Sequence, residues 1–365
     1  MKKIKFLMIA MLAIIANASF TACSDDDDDT NSNMERYQKE VDKTVKQQKK
    51  HNKAILLVAF GSTWQQAYDA FDLTRNEYAK EFSDYDVYLS FSSAICINRA
   101  RAAENTAARD FYEPKYWLEA FGRVQYDEII VQSMQVIPGE EYSRVVNAMK
   151  DFANNVNGDL DDKYLSEVTL KIGLPLMATE GDAKELAVEL DKNFASYASK
   201  GAMLFMGHGN PDEYDTYKAN VRYTQLENYL HTINANYFVG TVDMKENFKV
   251  QVKERMEKEG IVSGNVYCAP LMSIAGDHAH NDMAGDDDAW EEGVGYTVND
   301  EGEVEDTSWK CYFGNMGYTI DEQAYTDDKG IVKGLLEYKN IRDLYQQHTK
   351  NAEVVDYYHS MYPEE

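Results

Sequence analysis

The sequence has few cysteines, few prolines and a shortage of positive charge. Its 365 residues include four cysteines and six prolines, and 37 basic side chains are outnumbered by 63 acidic ones, a formal net charge of −26. Nucleic-acid binding depends largely on neutralising phosphates with lysine and arginine, so this charge argues against a nucleic-acid partner. It also argues against peripheral binding to anionic lipid, whereas it is compatible with binding metal cations.

The cysteines are too scattered for a disulfide framework or a CxxC metal knuckle. If Cys23 is set aside, Cys96, Cys268 and Cys311 remain, which allow at most one bridge. Cys268 lies in an apolar segment, where a cysteine usually serves as a small core residue.

The apolar run from Phe6 to Ile15 is too short to span a membrane. Three lysines precede it, and small residues stand before Cys23. This arrangement resembles a bacterial lipoprotein signal, in which the cysteine becomes the lipidated first residue. We therefore expect residues 1–22 to be a signal peptide and Cys23 to carry a lipid. An uncleaved anchor and an ordinary signal peptide are the alternatives.

Five consecutive aspartates occupy residues 25–29 and open a polar segment that reaches residue 51. Such a segment is typical of a solvated tether, here with some helix. Directly after a lipidated cysteine, an acidic run resembles the signal that sends some lipoproteins to the cell surface. We expect an exported protein, anchored to the outer membrane through its lipid alone, on the periplasmic face or at the cell surface.

Strands and helices alternate through the rest of the chain. Short apolar runs predict buried strands at 54–63, 86–92, 128–134, 168–175, 202–211, 237–242 and 266–272. Amphipathic segments between them, including 99–122 with a break near Pro114, predict helices. This alternation is typical of an α/β fold with parallel sheets flanked by helices. Residues 291–330, which are polar and rich in glycine and aspartate, are interpreted as an irregular insertion, and 338–361 as a closing helix.

The two halves of the chain share short patterns. Residues 137–141 (Ile-Pro-Gly-Glu-Glu) parallel 274–278 (Ile-Ala-Gly-Asp-His), and 57–62 parallel 205–210. The repeat predicts two similar Rossmann-like domains that face one another across a cleft. The predicted division is a signal peptide 1–22, a tether 23–51, an N-terminal domain 52–180, a C-terminal domain 181–350 with the insertion 291–330, and a helix end and tail 351–365.

Two histidines and one aspartate follow buried strands of the second half. His208 stands between two glycines, Asp243 follows the strand 237–242, and His278 follows a turn at Gly276. The carboxyl ends of parallel strands meet at one edge of a sheet, where such folds bind ligands. Two imidazoles and one carboxylate suit a divalent transition metal and leave room for a substrate ligand. Each residue alone is more simply a turn residue, but three corresponding positions favour a site.

These motifs are similar to those of the anaerobic, single-subunit (class II) cobalt chelatases, which insert Co²⁺ into sirohydrochlorin during cobalamin synthesis. The segments that carry the resemblance are 56–63, 131–142, 173–176, 205–209 and 270–284. The resemblance implies a tetrapyrrole in the cleft between two Rossmann-like domains. It implies a metal site of His208, Asp243 and His278, with His208 as the base. Such a ligand set binds Co²⁺, Fe²⁺ or Ni²⁺ without holding the ion irreversibly.

Further residues of these motifs are candidates for the tetrapyrrole cleft: Gln135, Glu140, Glu141 and His280. The sequence departs from the family pattern at two positions. Asp243 stands where the family usually has glutamate, which shortens the reach by one methylene. Gln135 stands where the family commonly has histidine, and its neutral amide is neither a base nor a strong ligand.

Two functions therefore fit the sequence. One is a chelatase-type lyase acting on sirohydrochlorin or a related tetrapyrrole, which the trio of His208, Asp243 and His278 favours. The other is a surface lipoprotein that captures haem or another metallated tetrapyrrole for uptake and removes its iron, which export and Gln135 favour. An inactive α/β lipoprotein scaffold is the third interpretation. The sequence leaves open the physiological metal and tetrapyrrole, the direction of reaction and whether the chain forms a homo-oligomer.

Overall fold

The computed structural model describes residues 27–103, 107–286 and 307–355. The predicted signal peptide, Cys23, part of the predicted insertion and the last ten residues lie outside the described residues. Among the helices that are described, none has the length and apolar character needed to cross a membrane. In the same part of the chain none of Cys96, Cys268 and Cys311 forms a disulfide, and Cys268 is a buried core residue as predicted.

A first sheet contains five strands. They are β1 (Lys53–Ala59), β2 (Asp86–Phe91), β3 (Glu128–Ser133), β4 (Thr169–Gly173) and, from the other end of the chain, β9 (Glu353–Val354). Their order is β2-β1-β3-β4-β9. The first four are parallel, and β9 is antiparallel to β4. Six consecutive residues of β1 are buried, because helices cover both faces of a parallel sheet.

A second sheet contains four strands, all parallel. They are β5 (Ala202–Gly207), β6 (Tyr237–Thr241), β7 (Gly264–Leu271) and β8 (Tyr318–Asp321), in the order β6-β5-β7-β8. The α/β fold with parallel sheets is thus confirmed. Strand β8 corrects the prediction of an irregular segment over 291–330, at least for its described part. It is a short edge strand with partly exposed residues, and it lacks the apolar run that predicts a buried strand.

Helices connect the strands and cover the sheets. They are α1 (Asp27–Gln48), α2 (Gln65–Glu81), α3 (Ala94–Arg101), α4 (Pro114–Arg123), α5 (Glu140–Ala153), α6 (Asp162–Glu167), α7 (Glu180–Ala198), α8 (Val221–Ile233), α9 (Lys249–Lys258), α10 (Trp309–Asn315) and α11 (Lys339–Lys350). The helical segment predicted over 99–122 is divided into α3 and α4, and the predicted break near Pro114 is present. Pro114 occupies the first turn of α4, where its fixed backbone and missing N–H are tolerated.

Helix α1 corrects the prediction of a solvated tether. Val41 and Val45 on this helix are fully buried, and the helix packs against α4. The side-chain amide of Gln38 donates a hydrogen bond to the backbone oxygen of Tyr116 (3.0 Å). Residues four apart lie on one face of a helix, so a narrow apolar stripe is enough to attach an otherwise polar segment.

A common hydrophobic core joins the two sheets. The largest cluster of buried side chains includes Leu57 of β1, Ile130 of β3, Phe205 of β5 and Ala269 of β7. Two further clusters lie on the remaining face of each sheet. The sheets are therefore packed through shared apolar contacts, which fixes the relative placement of the strand ends. The boundary of the two predicted domains near residue 180 stays a prediction.

Helix α11 returns the chain to the first sheet. The hydroxyl of Tyr345 donates to the backbone oxygens of Met134 and Gln135 (both 3.1 Å), just beyond the end of β3. Arg342 pairs with Glu77 of α2 through two short hydrogen bonds (2.7 and 2.9 Å). The last helix is thus built into the half of the fold that the first residues form.

The closing helix is shorter than predicted. It ends at Lys350 instead of continuing to residue 361, because Glu353 and Val354 adopt an extended conformation and pair with β4. Strand β9 forms hydrogen bonds with the backbone groups at this edge of β4. A longer helix would leave those backbone groups unpaired.

Candidate functional site

The strand ends of the second sheet bring the predicted trio together at one edge. His208 follows β5, Asp243 follows β6, and His278 follows β7. Strand β5 lies between the other two, with Gly207 opposite Thr241 of β6. His208 is therefore the central member, with one of the other two on either side.

The imidazole of His208 contacts both of its predicted partners. Its Nδ1 atom lies 3.2 Å from Oδ2 of Asp243 and 2.8 Å from the backbone oxygen of Gly209. Its ring centroid is 4.7 Å from that of His278, and the two rings are nearly perpendicular. Because both neighbours of Nδ1 are oxygen acceptors, Nδ1 carries the hydrogen and Nε2 carries the free lone pair.

The second imidazole is oriented by a carboxylate on its own turn. Nδ1 of His278 lies 2.5 Å from Oδ2 of Asp282, four residues further along the chain. Burial lowers the pKa of His278, but the hydrogen bond and the negative charge of Asp282 outweigh it, so the net pKa is raised. A carboxylate on one ring nitrogen fixes the tautomer and leaves the other nitrogen as the ligand, as in many metal sites.

The trio is contiguous but does not form a closed metal cage. Over residues 27–103, 107–286 and 307–355, no three His, Cys, Asp or Glu side chains are placed to hold a metal ion together. His208 stands between the other two, in contact with the carboxylate of Asp243 and with the ring of His278. Simultaneous binding by all three requires side-chain rotation. A loosely arranged set of this kind fits an ion that passes to a substrate better than an ion held permanently.

A π-helical turn, His278–Met283, carries the second histidine. Ala279 and Met283 of this turn are buried in the core below it. Such turns are rare and recur at functional sites. Residues two apart on a helix do not face each other, so His278 and His280 project to different sides of the turn.

His280 lies on the side of the turn away from the metal trio. Its ring stacks on the indole of Trp64, with centroids 3.8 Å apart and planes within 3°. Nδ1 is 2.9 Å from the backbone oxygen of Gly276, and Nε2 is 2.8 Å from the side-chain amide nitrogen of Gln66. Because one neighbour accepts and the other donates, the ring is neutral, and burial lowers the pKa of His280.

The first sheet contributes the predicted glutamates. The backbone N–H of Glu140, at the start of α5, donates to Oδ1 of Asn210 (3.3 Å), which brings the loop after β5 against this helix. A Cβ atom on Gly139 would collide with the Asn210 side chain, so the close approach requires glycine. The carboxylate of Glu141 accepts a hydrogen bond from Ser92 (3.2 Å), and burial raises the pKa of Glu141 to about 7.

Gln135 is buried at the end of β3. The hydroxyl of Ser133 donates to Oε1 of Gln135, while Nε2 has no partner among the described residues. An unpaired buried donor carries a desolvation cost, so this amide is available to an acceptor that enters the site. It supplies neither a base nor a strong metal ligand.

One face of α3 adds apolar and positively charged groups that the sequence did not reveal as part of a site. Ile95 and Arg99 are four residues apart and share that face. Ile95 is 42% exposed, and so is Phe60 at 43%, whose backbone oxygen accepts from the N–H of Ser93 (3.0 Å). Nη1 of Arg99 lies 3.5 Å from Oδ2 of Asp277, directly before the π turn.

Comparison with known proteins gives the family. Residues 53–299 match the model of the family described as "Cobalt chelatase (CbiK)". The chain belongs to the cobalt chelatase family. The match covers strands β1 to β7 and ends before α10, and it confirms the resemblance found in the sequence motifs.

Two relatives are similar to this chain over most of their own length. The sirohydrochlorin cobaltochelatase of Salmonella typhimurium is 28% identical over 243 residues, which cover 65% of this chain and 83% of that protein. The sirohydrochlorin cobaltochelatase CbiKC of Nitratidesulfovibrio vulgaris is 29% identical over 241 residues, 65% of this chain and 78% of that protein. Among solved structures, the sugar-binding protein of a Bacillus halodurans ABC transporter is similar over 86% of this chain and 93% of that protein. The TM-score is 0.29 and the identity 11%, which is too weak a similarity to support an argument.

Proposed function

We propose that this protein is a chelatase that inserts a divalent metal, with Co²⁺ the leading candidate, into sirohydrochlorin or a related tetrapyrrole, as in anaerobic cobalamin synthesis. The observation that carries the proposal is the position of His208 in contact with both Asp243 and His278, in a chain of the cobalt chelatase family. The strand ends of a parallel sheet place these groups where such folds bind ligands.

Metal insertion requires removal of two N–H protons from the macrocycle as the divalent ion binds its four ring nitrogens. His208 is suited to accept one of them, because its Nδ1–H is held by Asp243 and its Nε2 lone pair is free. Glu141 of the opposite sheet is suited to the second, since a carboxyl with a pKa of about 7 exchanges protons readily at neutral pH.

The metal is a substrate of this reaction. Two imidazoles and one carboxylate bind Co²⁺, and the same ligands also suit Fe²⁺ and Ni²⁺, so ligand type alone does not select among them. Asp243 reaches one methylene less far than the glutamate that is usual at this position in the family. A weaker hold on the ion favours its transfer to the four nitrogens of the macrocycle.

The exposed face of α3, together with Phe60 directly after β1, suits the macrocycle itself. Phe60 and Ile95 offer apolar surface to the flat ring, and Arg99 offers a cation to one of its peripheral carboxylates. A local positive charge is needed because both the protein, at −26, and a polycarboxylate tetrapyrrole are anionic.

The test is an insertion assay with purified residues 31–365, free-base sirohydrochlorin and Co²⁺, followed by absorbance. We expect insertion faster than the protein-free rate, loss of the acceleration in His208→Ala, and retention in His51→Ala. His51 lies before β1 and is no member of the trio, so it controls for loss of an arbitrary histidine. A wild-type rate equal to the protein-free rate would reject the proposal.

Capture of haem, with removal of its iron, is the second candidate. The buried Gln135 supports it, because a neutral amide with an unpaired donor binds an acceptor and cannot take up a pyrrole proton. Haem is added to the same protein in a separate cuvette. A shifted Soret band together with no metal insertion would favour capture, and loss of the iron from bound haem would identify removal.

We also propose that the protein is an exported lipoprotein whose contact with the outer membrane is its lipid anchor. The basic and apolar segments before Cys23 and the acidic run after it support this proposal. Cell fractionation of wild type and Cys23→Ser is the test. We expect the wild-type protein in the membrane fraction and the variant outside it, and a variant that stays with the membrane would contradict the lipid anchor.

A further inference from the structure

We infer that Trp64 and His280 form the centre of a clasp between the two halves of the fold, and that the clasp positions the π turn for reaction of His278. The clasp is defined by Trp64, Gln66, Asp277 and His280. Its role in catalysis rests on the proposed chelatase function, whereas its effect on metal binding does not.

Three direct contacts make up the clasp. The rings of Trp64 and His280 are stacked at 3.8 Å with parallel planes. The indole N–H of Trp64 donates to Oδ1 of Asp277 (2.7 Å). The side-chain amide of Gln66 donates to Nε2 of His280 (2.8 Å). Flat stacking and charge-assisted hydrogen bonds both constrain orientation as well as distance, so the contact surface is geometrically specific.

The clasp joins segments that are far apart in the sequence. Trp64 and Asp277 are separated by 213 positions, and Gln66 and His280 by 214. Trp64 stands at the N-terminus of α2, in the connection that follows β1 of the first sheet. Its partners follow β7 of the second sheet. The contact therefore fixes the π turn relative to the opposite side of the cleft.

Both ring nitrogens of His280 are already engaged, which assigns the residue a positioning role. Nδ1 faces the oxygen of Gly276, and Nε2 faces the amide of Gln66. A metal ligand needs one free lone pair, and a base needs an open nitrogen. The sequence makes His280 a candidate for the tetrapyrrole cleft. The geometry leaves the role of metal ligand or base to His278, whose Nδ1 alone is engaged by Asp282.

The position of the turn determines the position of His278. The turn is held from below by the buried side chains of Ala279 and Met283 and from the other half of the fold by Trp64. A single π turn has little stability of its own, so its orientation depends on these contacts. A shift of about 1 Å in a reacting group is enough to lower a rate by about a hundredfold. Loss of the indole should thus act on His278 without touching it.

The first experiment compares Trp64→Ala and Trp64→Phe in Co²⁺ calorimetry and in the insertion assay. We expect Trp64→Ala to weaken Co²⁺ binding by about tenfold, or 1.4 kcal/mol, and to lower kcat more than it raises KM. Trp64→Phe keeps a smaller stacking ring and loses the N–H, so it should retain most of the Co²⁺ affinity. Equal losses in the two variants, with circular dichroism unchanged, would overturn the stacking part of the inference.

Tyr229→Phe is the matched control. The hydroxyl of Tyr229 donates to Oε1 of Glu180 at 2.7 Å, the same length as the indole contact, but on α8, away from the clasp. Its Co²⁺ affinity and kcat should equal those of wild type. If Trp64→Ala behaves like this control in both assays, the clasp has no positioning role.

A second variant separates positioning from ligation. His280→Phe removes both ring nitrogens and keeps a flat ring against Trp64, whereas His280→Ala removes the ring as well. Positioning predicts that the phenylalanine variant keeps more Co²⁺ affinity than the alanine variant, and ligation predicts equal losses. Calorimetry with Co²⁺ alone measures these affinities even if the protein inserts no metal into a tetrapyrrole. Failure of the inference and failure of the proposed function are therefore distinguishable.

Discussion

The Nδ1 atom of His208 lies 3.2 Å from the carboxylate of Asp243, so its Nε2 atom is the one left for chemistry. The same pattern holds in His278, whose Nδ1 is held by Asp282. Two imidazoles that each engage a carboxylate through one nitrogen present their other nitrogens as electron-pair donors. The Nε2 atoms of His208 and His278 are thus oriented to bind a cation or a proton before either is present.

Removal of one of these imidazoles should weaken metal binding directly. His278→Ala is expected to lower Co²⁺ affinity at least tenfold, about 1.4 kcal/mol, in isothermal calorimetry, since a nitrogen ligand is removed. His51→Ala should leave the isotherm unchanged. An unaltered isotherm for the His278 variant would remove this residue from the metal site.

The carboxylate beside His278 sets the pH range of metal binding. Asp282 raises the pKa of His278, so Asp282→Asn should lower that pKa. Metal binds only the neutral ring, and the acid limit of Co²⁺ binding should therefore move to lower pH in the variant. The His278 pKa is measured by NMR titration of its ring proton. The control is Asp286→Asn, which alters a carboxylate paired with Lys310 and should leave the pKa of His278 unchanged. A wild-type pKa of His278 in Asp282→Asn would show that Asp282 does not raise it.

Burial of Glu141 should make folding stability depend on pH. Its pKa is raised in the folded state to about 7 from an ordinary value of 4.5, so the folded protein binds the proton more tightly than the unfolded chain. The contribution to stability is present in full below the unfolded pKa and is lost as pH rises through about 7. Glu141→Gln carries no such titration. The Tm of wild type relative to the variant should fall between pH 5 and pH 8, and parallel Tm curves would show that the carboxyl is not perturbed.

Arg99 should affect binding of an anionic tetrapyrrole more than the chemical step. If Arg99 pairs with a substrate carboxylate as proposed, Arg99→Gln should raise the KM for sirohydrochlorin about fivefold, roughly 1 kcal/mol, with kcat nearly unchanged. The salt dependence of KM should also weaken, because one screened attraction is gone. Arg75→Gln changes a similarly exposed arginine on α2, paired with Asp72, and serves as the control. A fall in kcat with unchanged KM would assign Arg99 to the reaction itself.

The strands could be predicted from the sequence because their apolar runs are continuous. All seven predicted strands are present, and β5, β6 and β7 place their following residues at one edge as the rule for parallel sheets requires. The sequence of α1 predicts a tether because the few buried valines of this helix lie in a strongly polar segment. Strands β8 and β9 are short and lie at sheet edges, where partial exposure removes the apolar pattern.

The partners of the site residues could be predicted only in part. His208, Asp243 and His278 follow neighbouring strands, so their proximity depends on topology alone. The stacking of Trp64 on His280 depends on how two sheets pack, and nothing in the local sequence around either residue encodes a partner more than 200 positions away. The neutral, fully engaged state of His280 could not be predicted for the same reason.

Helix α11 and strand β9 have a consequence for how the chain is made. The first sheet receives its edge strand from Glu353 and Val354, and the carbonyl groups beyond β3 receive the hydroxyl of Tyr345. The first half therefore cannot complete its own structure during synthesis until Tyr345, more than 200 residues downstream of Met134, has been added. A chain stopped after residue 338 would leave the edge of β4 unpaired, and an unpaired strand edge is a template for pairing with another chain.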